Sequence, residues 1–257
     1  MSLSERDVAG IRVFVGQRDE LAAAVCDVIL AVIRGKPDAT LMFPTGATPE
    51  PVYADLVSQH RRRPTAGPDP SWRGARCFNL DEYWRLPPWS AASYAHFMRV
   101  HLYDWVNVSP ENVFGPDALA PTEADACAAY ERQIADCGGI DHAFLGIGVD
   151  GHIAFNEAGL PRSGTHVIDL APSTIEANRI HFPGPDEIMP TKAITAGIDT
   201  ILGSRCITLL ATGTRKAQAV RGALLAPIGE GCPASFLREV PERCVFYLDA
   251  DAASLLV

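Results

Sequence analysis

The sequence predicts an α/β protein whose core is an open, mostly parallel sheet with helices on both faces, the arrangement called Rossmann-like. The first observation is length, because 257 residues, of which 47% are hydrophobic, suffice for one large core. The second is that short β-rich apolar runs alternate with stretches of helical length. The third is that no internal repeat occurs. We therefore predict one domain over residues 1–257, built on a parallel sheet.

The predicted strands and helices are defined by their apolar patterns. The clearest helix has apolar residues on one face at a period of 3.6 and ends at Gly35. A second helix is predicted from a threonine cap at Thr122 to Asp136, before two glycines. The face of the first helix comprises Leu21, Val25, Val28, Ile29 and Val32, and the strands are Ile11–Val15, Ala39–Phe43, Ala75–Leu80, His142–Ile147, Arg205–Ala211 and Cys244–Leu248.

Two stretches do not follow this alternation. Prolines and glycines interrupt residues Gly159–Gly203 repeatedly, which indicates loops, a short helix and a mobile lid over residues 159–190. The stretch His60–Pro70 is polar, basic and contains proline, so it is interpreted as a surface connection.

Composition restricts the class of partner. The formal net charge of −9 works against binding to nucleic acid or to an anionic membrane surface. Seven scattered cysteines without a CxxC pair indicate neither a disulfide framework nor a zinc cluster. No leader or membrane span is predicted, so we expect a soluble cytoplasmic protein that acts on small molecules, without metal or cofactor, as a monomer or small homo-oligomer.

Ligands of open α/β sheets bind beyond the carboxyl ends of the strands, so the loops after the runs are informative. The first, Pro44–Pro49, contains Gly46, which lets the backbone approach a ligand closely. Thr48 suits the cap of the following helix, and Pro49 suits its first position. Free N–H groups at a helix start, with the hydroxyls of Thr45 and Thr48, favour an anion site. An ordinary capped turn remains open, but the spacing of a nucleotide-binding P-loop is missing.

The second loop carries adjacent carboxylates, Asp81 and Glu82, at the end of an apolar run. Neighbours on a strand point in opposite directions, so only one of the two need face a pocket. A solvated turn is the alternative interpretation.

The third loop, Gly146–Glu157, is the densest in chemistry. It begins with a GxGxxG match, but glycines and a proline follow where a dinucleotide site requires a helix of several turns, so the match is interpreted as fortuitous. Asp150, His152 and Glu157 lie within eight residues. A carboxylate can fix the tautomer of an imidazole that moves a proton near neutral pH, which favours catalysis. No second histidine at ligand spacing supports a metal site.

The fourth loop, Ala211–Lys216, again joins an apolar run to a glycine turn and a helix start. Lys216 in the first helical turn opposes the helix dipole. That position favours contact with an anion, although a solvated lysine remains the alternative.

Together these loops resemble, in order and spacing, the glucosamine-6-phosphate deaminase family, over most of the chain. The motifs are PTGATP, FNLDEYW, GIGVDGHIAFNE and ATGTRKA. The same superfamily includes 6-phosphogluconolactonases, which share the DGH core but typically continue through a leucine-phenylalanine-proline stretch. This chain has Ala154–Glu157 there, which favours the deaminase.

The resemblance implies roles for individual residues. Asp81 would be the base that moves a proton between C2 and C1, and His152, oriented by Asp150 and Glu157, would open the sugar ring. The implied product is fructose 6-phosphate with release of ammonia, which makes the enzyme a hydrolase of the amino-sugar phosphate isomerase and deaminase kind. The implied phosphate and substrate site comprises Thr45, Gly46, Ala47, Thr48, Arg179 and Lys216.

Two stretches depart from the family pattern. The family's alanine-asparagine-serine-arginine-phenylalanine-phenylalanine stretch reads Ala177–Phe182 here, so Arg179 is displaced by one position. The activator site of allosteric members uses an arginine and a lysine, and Thr165–Ile168 has neither, which predicts no activation by N-acetylglucosamine 6-phosphate. Galactosamine 6-phosphate, a 6-phosphogluconolactone, or a non-catalytic sugar-phosphate sensor remain open as alternatives.

Overall fold

The fold is described from a computed structural model, which covers residues 3–62, 71–182, 184 and 188–256. It confirms the predicted single-domain α/β class, with an eight-stranded sheet and helices. It also contains a three-stranded antiparallel sheet that the sequence pattern does not predict.

The large sheet has the strand order β1-β2-β11-β10-β7-β3-β4-β6. All neighbours pair in parallel except β1, which is antiparallel to β2 at one edge. All six predicted strands are confirmed, whereas the edge strands β1 and β6 were not predicted. The strands are β1 Ser4–Val8, β2 Ile11–Gly16, β3 Thr40–Phe43, β4 Arg76–Asn79, β6 Val113–Phe114, β7 His142–Leu145, β10 Cys206–Ala211 and β11 Cys244–Asp249.

Helices cover both faces of this sheet. Alternate residues of β3 point to opposite faces. Met42 packs into an apolar cluster with α4, α6 and α7 on one face. Leu41 and Phe43 pack into a second cluster with α1, α2 and α3 on the other face. The helices are α1 Arg18–Gly35, α2 Glu50–Arg62, α3 Tyr94–His101, α4 Glu123–Asp136, α5 Pro172–Asn178, α6 Ile198–Leu202 and α7 Ala217–Leu225.

The two predicted helices are confirmed with their ends. Helix α1 ends at Gly35, and the Thr122 hydroxyl caps α4 by accepting a hydrogen bond of 3.1 Å from the N–H of Asp125. After α4, Gly138 and Gly139 have positive φ and donate to carbonyls of the last turn, so these glycines end the helix.

The interrupted region contains more regular structure than predicted. The small sheet has the order β5-β9-β8, with β5 Asp81–Tyr83, β8 His166–Asp169 and β9 Lys192–Thr195. Two of these strands and the helices α5 and α6 lie within Gly159–Gly203, so the expectation of loops with one short helix was wrong there. Strand β9 pairs with β5 on one side and with β8 on the other, and local sequence does not reveal these partners. Of the predicted lid, residues 183 and 185–187 lie outside the described residues.

The predicted connection His60–Pro70 is corrected in its first part, because α2 continues to Arg62. Residues 63–70 lie outside the described part of the chain. Within that part, none of the helices has the length and apolar character needed to cross a membrane.

Candidate active site

Four adjacent strands place the predicted site residues along one edge of the large sheet. The strands β10, β7, β3 and β4 are neighbours in that order and run parallel, so the loops after them leave the sheet at the same edge. Taken in the same order, these loops carry Lys216, His152, the Thr45–Thr48 turn and Asp81. The structure therefore brings together chemistry that is dispersed over the sequence.

The turn after β3 has the open geometry expected of a ligand loop. Gly46 has φ +105°, and no atom lies within 4 Å of the position that a β-carbon would occupy there. The Tyr53 hydroxyl donates to the carbonyl of Pro44 at the start of the turn, which ties the turn to α2. Helix α2 begins at Glu50, one residue later than predicted, because the carbonyl of Pro49 accepts the first helical hydrogen bond.

Tyr94 connects this turn to two other parts of the site. Its hydroxyl hydrogen-bonds with the side chain of Thr45 and lies 3.3 Å from the hydroxyl of Tyr83. Its ring stacks on Phe155, with 5.7 Å between centroids. Sequence reasoning missed Tyr94, because a tyrosine eleven residues beyond β5 carries no local signal of contact with the turn after β3.

Asp81 begins β5 and is buried, with 6% of its surface exposed. Burial raises the pKa of its carboxyl well above the usual range, and the negative charge of Glu82 adds to this effect. A carboxylate of raised pKa is a stronger base than one in water, which suits proton abstraction. The predicted base therefore lies in an environment that increases its basicity.

Glu82 points to the other side of the strand and has a different role. Its Oε1 accepts hydrogen bonds from the N–H groups of Tyr83 and Tyr94, at 2.9 and 3.0 Å, and its Oε2 accepts one from Ala95, at 2.9 Å. The carboxylate thus binds the N-terminus of α3, where the helix dipole favours negative charge. Burial nevertheless raises the pKa of Glu82 to about 7, although the three N–H groups act in the opposite direction. The acidic pair is therefore a buried pair with divided roles and not a solvated turn.

The loop after β7 brings together the three predicted residues Asp150, His152 and Glu157. The Nδ1 of His152 lies 2.7 Å from Asp150 Oδ1 and 4.0 Å from Glu157 Oε2. The first contact has the distance of an ion pair, but the ring does not direct its Nδ1–H along it as an aligned hydrogen bond. The neighbouring imidazole lowers the pKa of Asp150 to about 2, so this carboxylate is ionised at neutral pH.

Glycines make room for the imidazole. A β-carbon at Gly148 would lie within 2.5 Å of three atoms of the His152 ring. The N–H of Gly148 donates to the carbonyl of His152 at 2.8 Å, which closes the loop. No helix lies between β7 and β8, a stretch that the structure describes in full, so the helix that a dinucleotide site requires is missing there, and the fortuitous nature of the GxGxxG match stays a prediction. The second glycine of that match serves the histidine.

The small sheet joins Asp81 to the loop after β7. Asp81 of β5 pairs with Thr195 of β9, and the Thr195 hydroxyl accepts a hydrogen bond of 3.1 Å from the N–H of Phe155. The Asn156 side chain donates to the carbonyl of Ala196, at 2.9 Å. Strand β9 thereby fixes the position of Asp81 relative to the loop that carries His152.

The two predicted cations occupy different environments. Lys216 is half-buried before α7, and burial, together with Arg215, lowers its pKa, whereas the charge of Asp150 opposes this effect. No carboxylate of the described residues forms an ion pair with Lys216, so a phosphate could supply a direct counter-charge. Arg179 is exposed in the short 3-10 turn after α5.

The cluster after β7 also has the donor set of a possible metal site. One ligand atom from each of Asp150, His152 and Glu157 lies within 4.8 Å of the others. Three ligands of this kind are the minimum that a catalytic zinc ion uses. The prediction that the protein needs no metal thus stays a prediction.

Comparison with known proteins identifies the family. A profile of the glucosamine-6-phosphate isomerases and 6-phosphogluconolactonases matches residues 17–246. The chain belongs to this family. The match includes all four loops at the sheet edge, so it agrees with the resemblance that the motifs indicate.

Two relatives of this chain are named glucosamine-6-phosphate deaminases. The chain is 44% identical over 244 residues to glucosamine-6-phosphate deaminase 2 of Giardia intestinalis, covering 95% of this chain and 90% of that one. It is 40% identical to the glucosamine-6-phosphate deaminase of Bacillus velezensis, covering 91% of this chain and 95% of that one.

Solved structures with a similar fold include a deaminase and a lactonase. A monomeric glucosamine-6-phosphate deaminase superposes with a TM-score of 0.88 at 37% identity, covering 95% of this chain and 99% of that one. The 6-phosphogluconolactonase of Trypanosoma brucei shares the fold, with a TM-score of 0.73 at 24% identity, covering 99% of this chain and all of that one.

Proposed function

We propose that this family member converts glucosamine 6-phosphate and water to fructose 6-phosphate and ammonia. The observation that carries the proposal is the pairing of a buried carboxylate of raised pKa, Asp81, with the Asp150, His152 and Glu157 cluster, on loops that one small sheet holds together. Relatives at 38–45% identity named as glucosamine-6-phosphate deaminases support the same substrate.

The chemistry divides between the two loops. His152 transfers the proton that opens the sugar ring, and Asp150 and Glu157, which both lie near its Nδ1, stabilise the charged imidazole. Asp81 then removes the proton from C2 and returns it to C1. This converts the C1 aldehyde to an alcohol and leaves a carbon–nitrogen double bond at C2. Water adds at C2, the carbon–nitrogen bond breaks, and ammonia leaves. The net reaction consumes one water, so a hydrolase class belongs to this proposal.

The phosphate binds between the loops that follow β3 and β10, at the carboxyl ends of these strands. The open turn at Gly46 offers backbone N–H groups and hydroxyls, and Lys216 is a half-buried cation whose pKa burial lowers, so a phosphate would stabilise its charge. We assign this role to the full set predicted above, comprising Thr45, Gly46, Ala47, Thr48, Arg179 and Lys216.

The remaining expectations belong to the same proposal. The enzyme works in the cytoplasm as a monomer or small homo-oligomer, without a cofactor or metal, and without nucleic-acid or membrane partners. One of the related solved structures is a monomeric deaminase, which is consistent with a monomer.

The segment 159–190 closes over the substrate in this scheme, which keeps water away until the intermediate is formed. Bound sugar phosphate should protect this segment from limited proteolysis. Equal cleavage rates with and without fructose 6-phosphate would argue against a lid.

The decisive experiment measures ammonia and fructose 6-phosphate released from glucosamine 6-phosphate by purified, chelator-treated protein. Galactosamine 6-phosphate and a 6-phosphogluconolactone are run as matched substrates. Release of both products from the first substrate alone supports the proposal and its independence of metal. If the enzyme acts only on galactosamine 6-phosphate or only on the lactone, that compound is its substrate instead. If it acts on none of the three, the protein is better explained as a non-catalytic sugar-phosphate sensor.

A further inference from the structure

Glu157 is held by a contact outside the loop that carries it. Its carboxylate is buried, with 7% of its surface exposed. One oxygen, Oε2, faces the His152 imidazole at 4.0 Å, and the other, Oε1, accepts a hydrogen bond of 2.7 Å from the Thr174 hydroxyl. The two oxygens are therefore directed to different partners.

The donor belongs to a distant part of the chain. Thr174 lies in α5, seventeen residues beyond Glu157 and inside the segment 159–190. Its own surface is 9% exposed, so water competes little for the hydroxyl. Removing the hydroxyl would leave a buried carboxyl oxygen without its hydrogen-bond donor, which carries a desolvation penalty.

We propose that Thr174 is a positioning residue of the active site, whose hydroxyl holds Glu157 so that the second carboxylate oxygen faces His152. The assignment rests on the proposed function, in which Glu157 assists the histidine. It extends that function to α5, because a displacement of this helix removes the donor and releases the carboxylate.

A matched pair of substitutions separates this role from folding. Thr174→Val preserves the shape of the side chain and removes the hydroxyl, whereas Thr174→Ser keeps the hydroxyl. A control comes from the same segment, where the Thr165 hydroxyl donates to Glu131 Oε1 at 2.6 Å, in a threonine–glutamate pair outside the catalytic cluster. Thr165→Val removes a threonine–glutamate bond at a place without a catalytic group, where Glu131 Oε1 also accepts from the Thr165 N–H and from the Thr200 hydroxyl.

We expect Thr174→Val to reduce kcat for glucosamine 6-phosphate roughly 10- to 100-fold, with KM little changed, since the hydroxyl touches Glu157 and not the phosphate loop. Thr174→Ser should recover most of kcat, and Thr165→Val should stay near the wild type. Wild-type kcat in Thr174→Val, equal losses in the Val and Ser variants at position 174, or an equal loss in Thr165→Val would each overturn the assignment.

A second measurement does not depend on turnover. The ring ¹⁵N signals of His152, recorded at one pH, should move in Thr174→Val and return in Thr174→Ser, because the orientation of Glu157 changes the field at the ring. Unmoved signals in Thr174→Val would overturn the inference. A wild type that does not act on glucosamine 6-phosphate would instead overturn the proposed function, so the two failures are distinguishable.

Discussion

Asp81 and Asp150 are aspartates of one candidate site with opposite environments. Asp81 is buried at the start of β5, and burial raises its pKa well above the usual range. Asp150 is about 40% exposed beside His152, and the imidazole lowers its pKa to about 2. Burial disfavours the charged form of an acid, whereas a cationic neighbour favours it. These environments fit the roles proposed above, proton transfer for Asp81 and stabilisation of the imidazole for Asp150.

The largest expected effect tests the first half of that comparison. Asp81→Asn should lower kcat by ~10²–10⁴-fold while KM changes little, because the amide binds similarly but cannot accept the C2 proton. Steady-state ammonia release measures this. A rate near that of the wild type would show that the raised pKa of Asp81 serves something other than catalysis.

The next effect concerns the glycine-containing loop that carries Asp150 and His152. Gly148→Ala should reduce kcat roughly 10²-fold, since the added methyl group overlaps the His152 ring and displaces it from Asp150. Gly35→Ala is the control, because a methyl group there meets no atom within 4 Å. Full activity in Gly148→Ala would mean that the observed ring position is not the working one.

His142 provides a second test of the effect of burial on pKa, because burial should lower the pKa of a base and raise that of an acid such as Asp81. His142 is buried in β7 with its Nε2 2.9 Å from the Thr208 hydroxyl, and burial lowers its pKa to about 4. The folded protein therefore binds this proton less well than the unfolded chain, so stability falls as the pH falls from about 6.5 towards 4. We expect His142 to contribute a loss of about 2 kcal/mol in unfolding free energy between pH 7 and pH 5.

The matched variant for this test is His142→Gln, which keeps a neutral polar group within reach of Thr208. Chemical denaturation at both pH values gives the two unfolding free energies. If the variant loses as much stability as the wild type over this range, His142 does not titrate as its burial indicates.

The last two effects, both on stability, have opposite signs at the two aspartates. A carboxyl of raised folded pKa contributes stability below its unfolded pKa and loses it as the pH rises through the folded value, so Asp81→Asn should stabilise the protein at pH 8 by on the order of 1–3 kcal/mol. A carboxyl of lowered folded pKa contributes stability above its unfolded pKa and loses it as the pH falls towards about 2. Asp150→Asn should therefore destabilise at pH 8, by about 1 kcal/mol or less, since solvent screens this half-exposed pair.

Thermal and urea unfolding at pH 8 measure both variants. Changes of the same sign in Asp81→Asn and Asp150→Asn would break the comparison, because they would show that the two environments do not differ in the free energy of the charged form.

The predictable parts of the site are those that local pattern controls. Apolar runs such as Thr40–Phe43 form strands because both faces are covered, and the polar loop that follows each run must lie at one edge once the strands are parallel. The positions of Lys216, His152 and Asp81 along that edge follow from this rule. Sequence also showed the departure from a dinucleotide site, since glycines and a proline stand where a helix is needed.

The parts that sequence missed depend on contacts between distant residues. The strand His166–Asp169 looked like loop, because its stability comes from pairing with β9 and not from its own apolar period. Tyr94 and Thr174 gave no signal, since each reaches another loop from a helix. The division of Asp81 and Glu82 into base and helix cap needed the position of α3.

The sequence by itself determined the strands of the parallel sheet, the order of the loops and the side chains that each loop presents. These properties follow from the apolar period and from turn residues, which act over a few positions. Only the tertiary structure decided which carboxylate is buried, how the small sheet joins β5 to the Gly146–Glu157 loop, and that Thr174 holds Glu157. Those properties depend on burial and on the geometry between segments, because desolvation and hydrogen bonding are set by neighbours in space and not by neighbours along the chain.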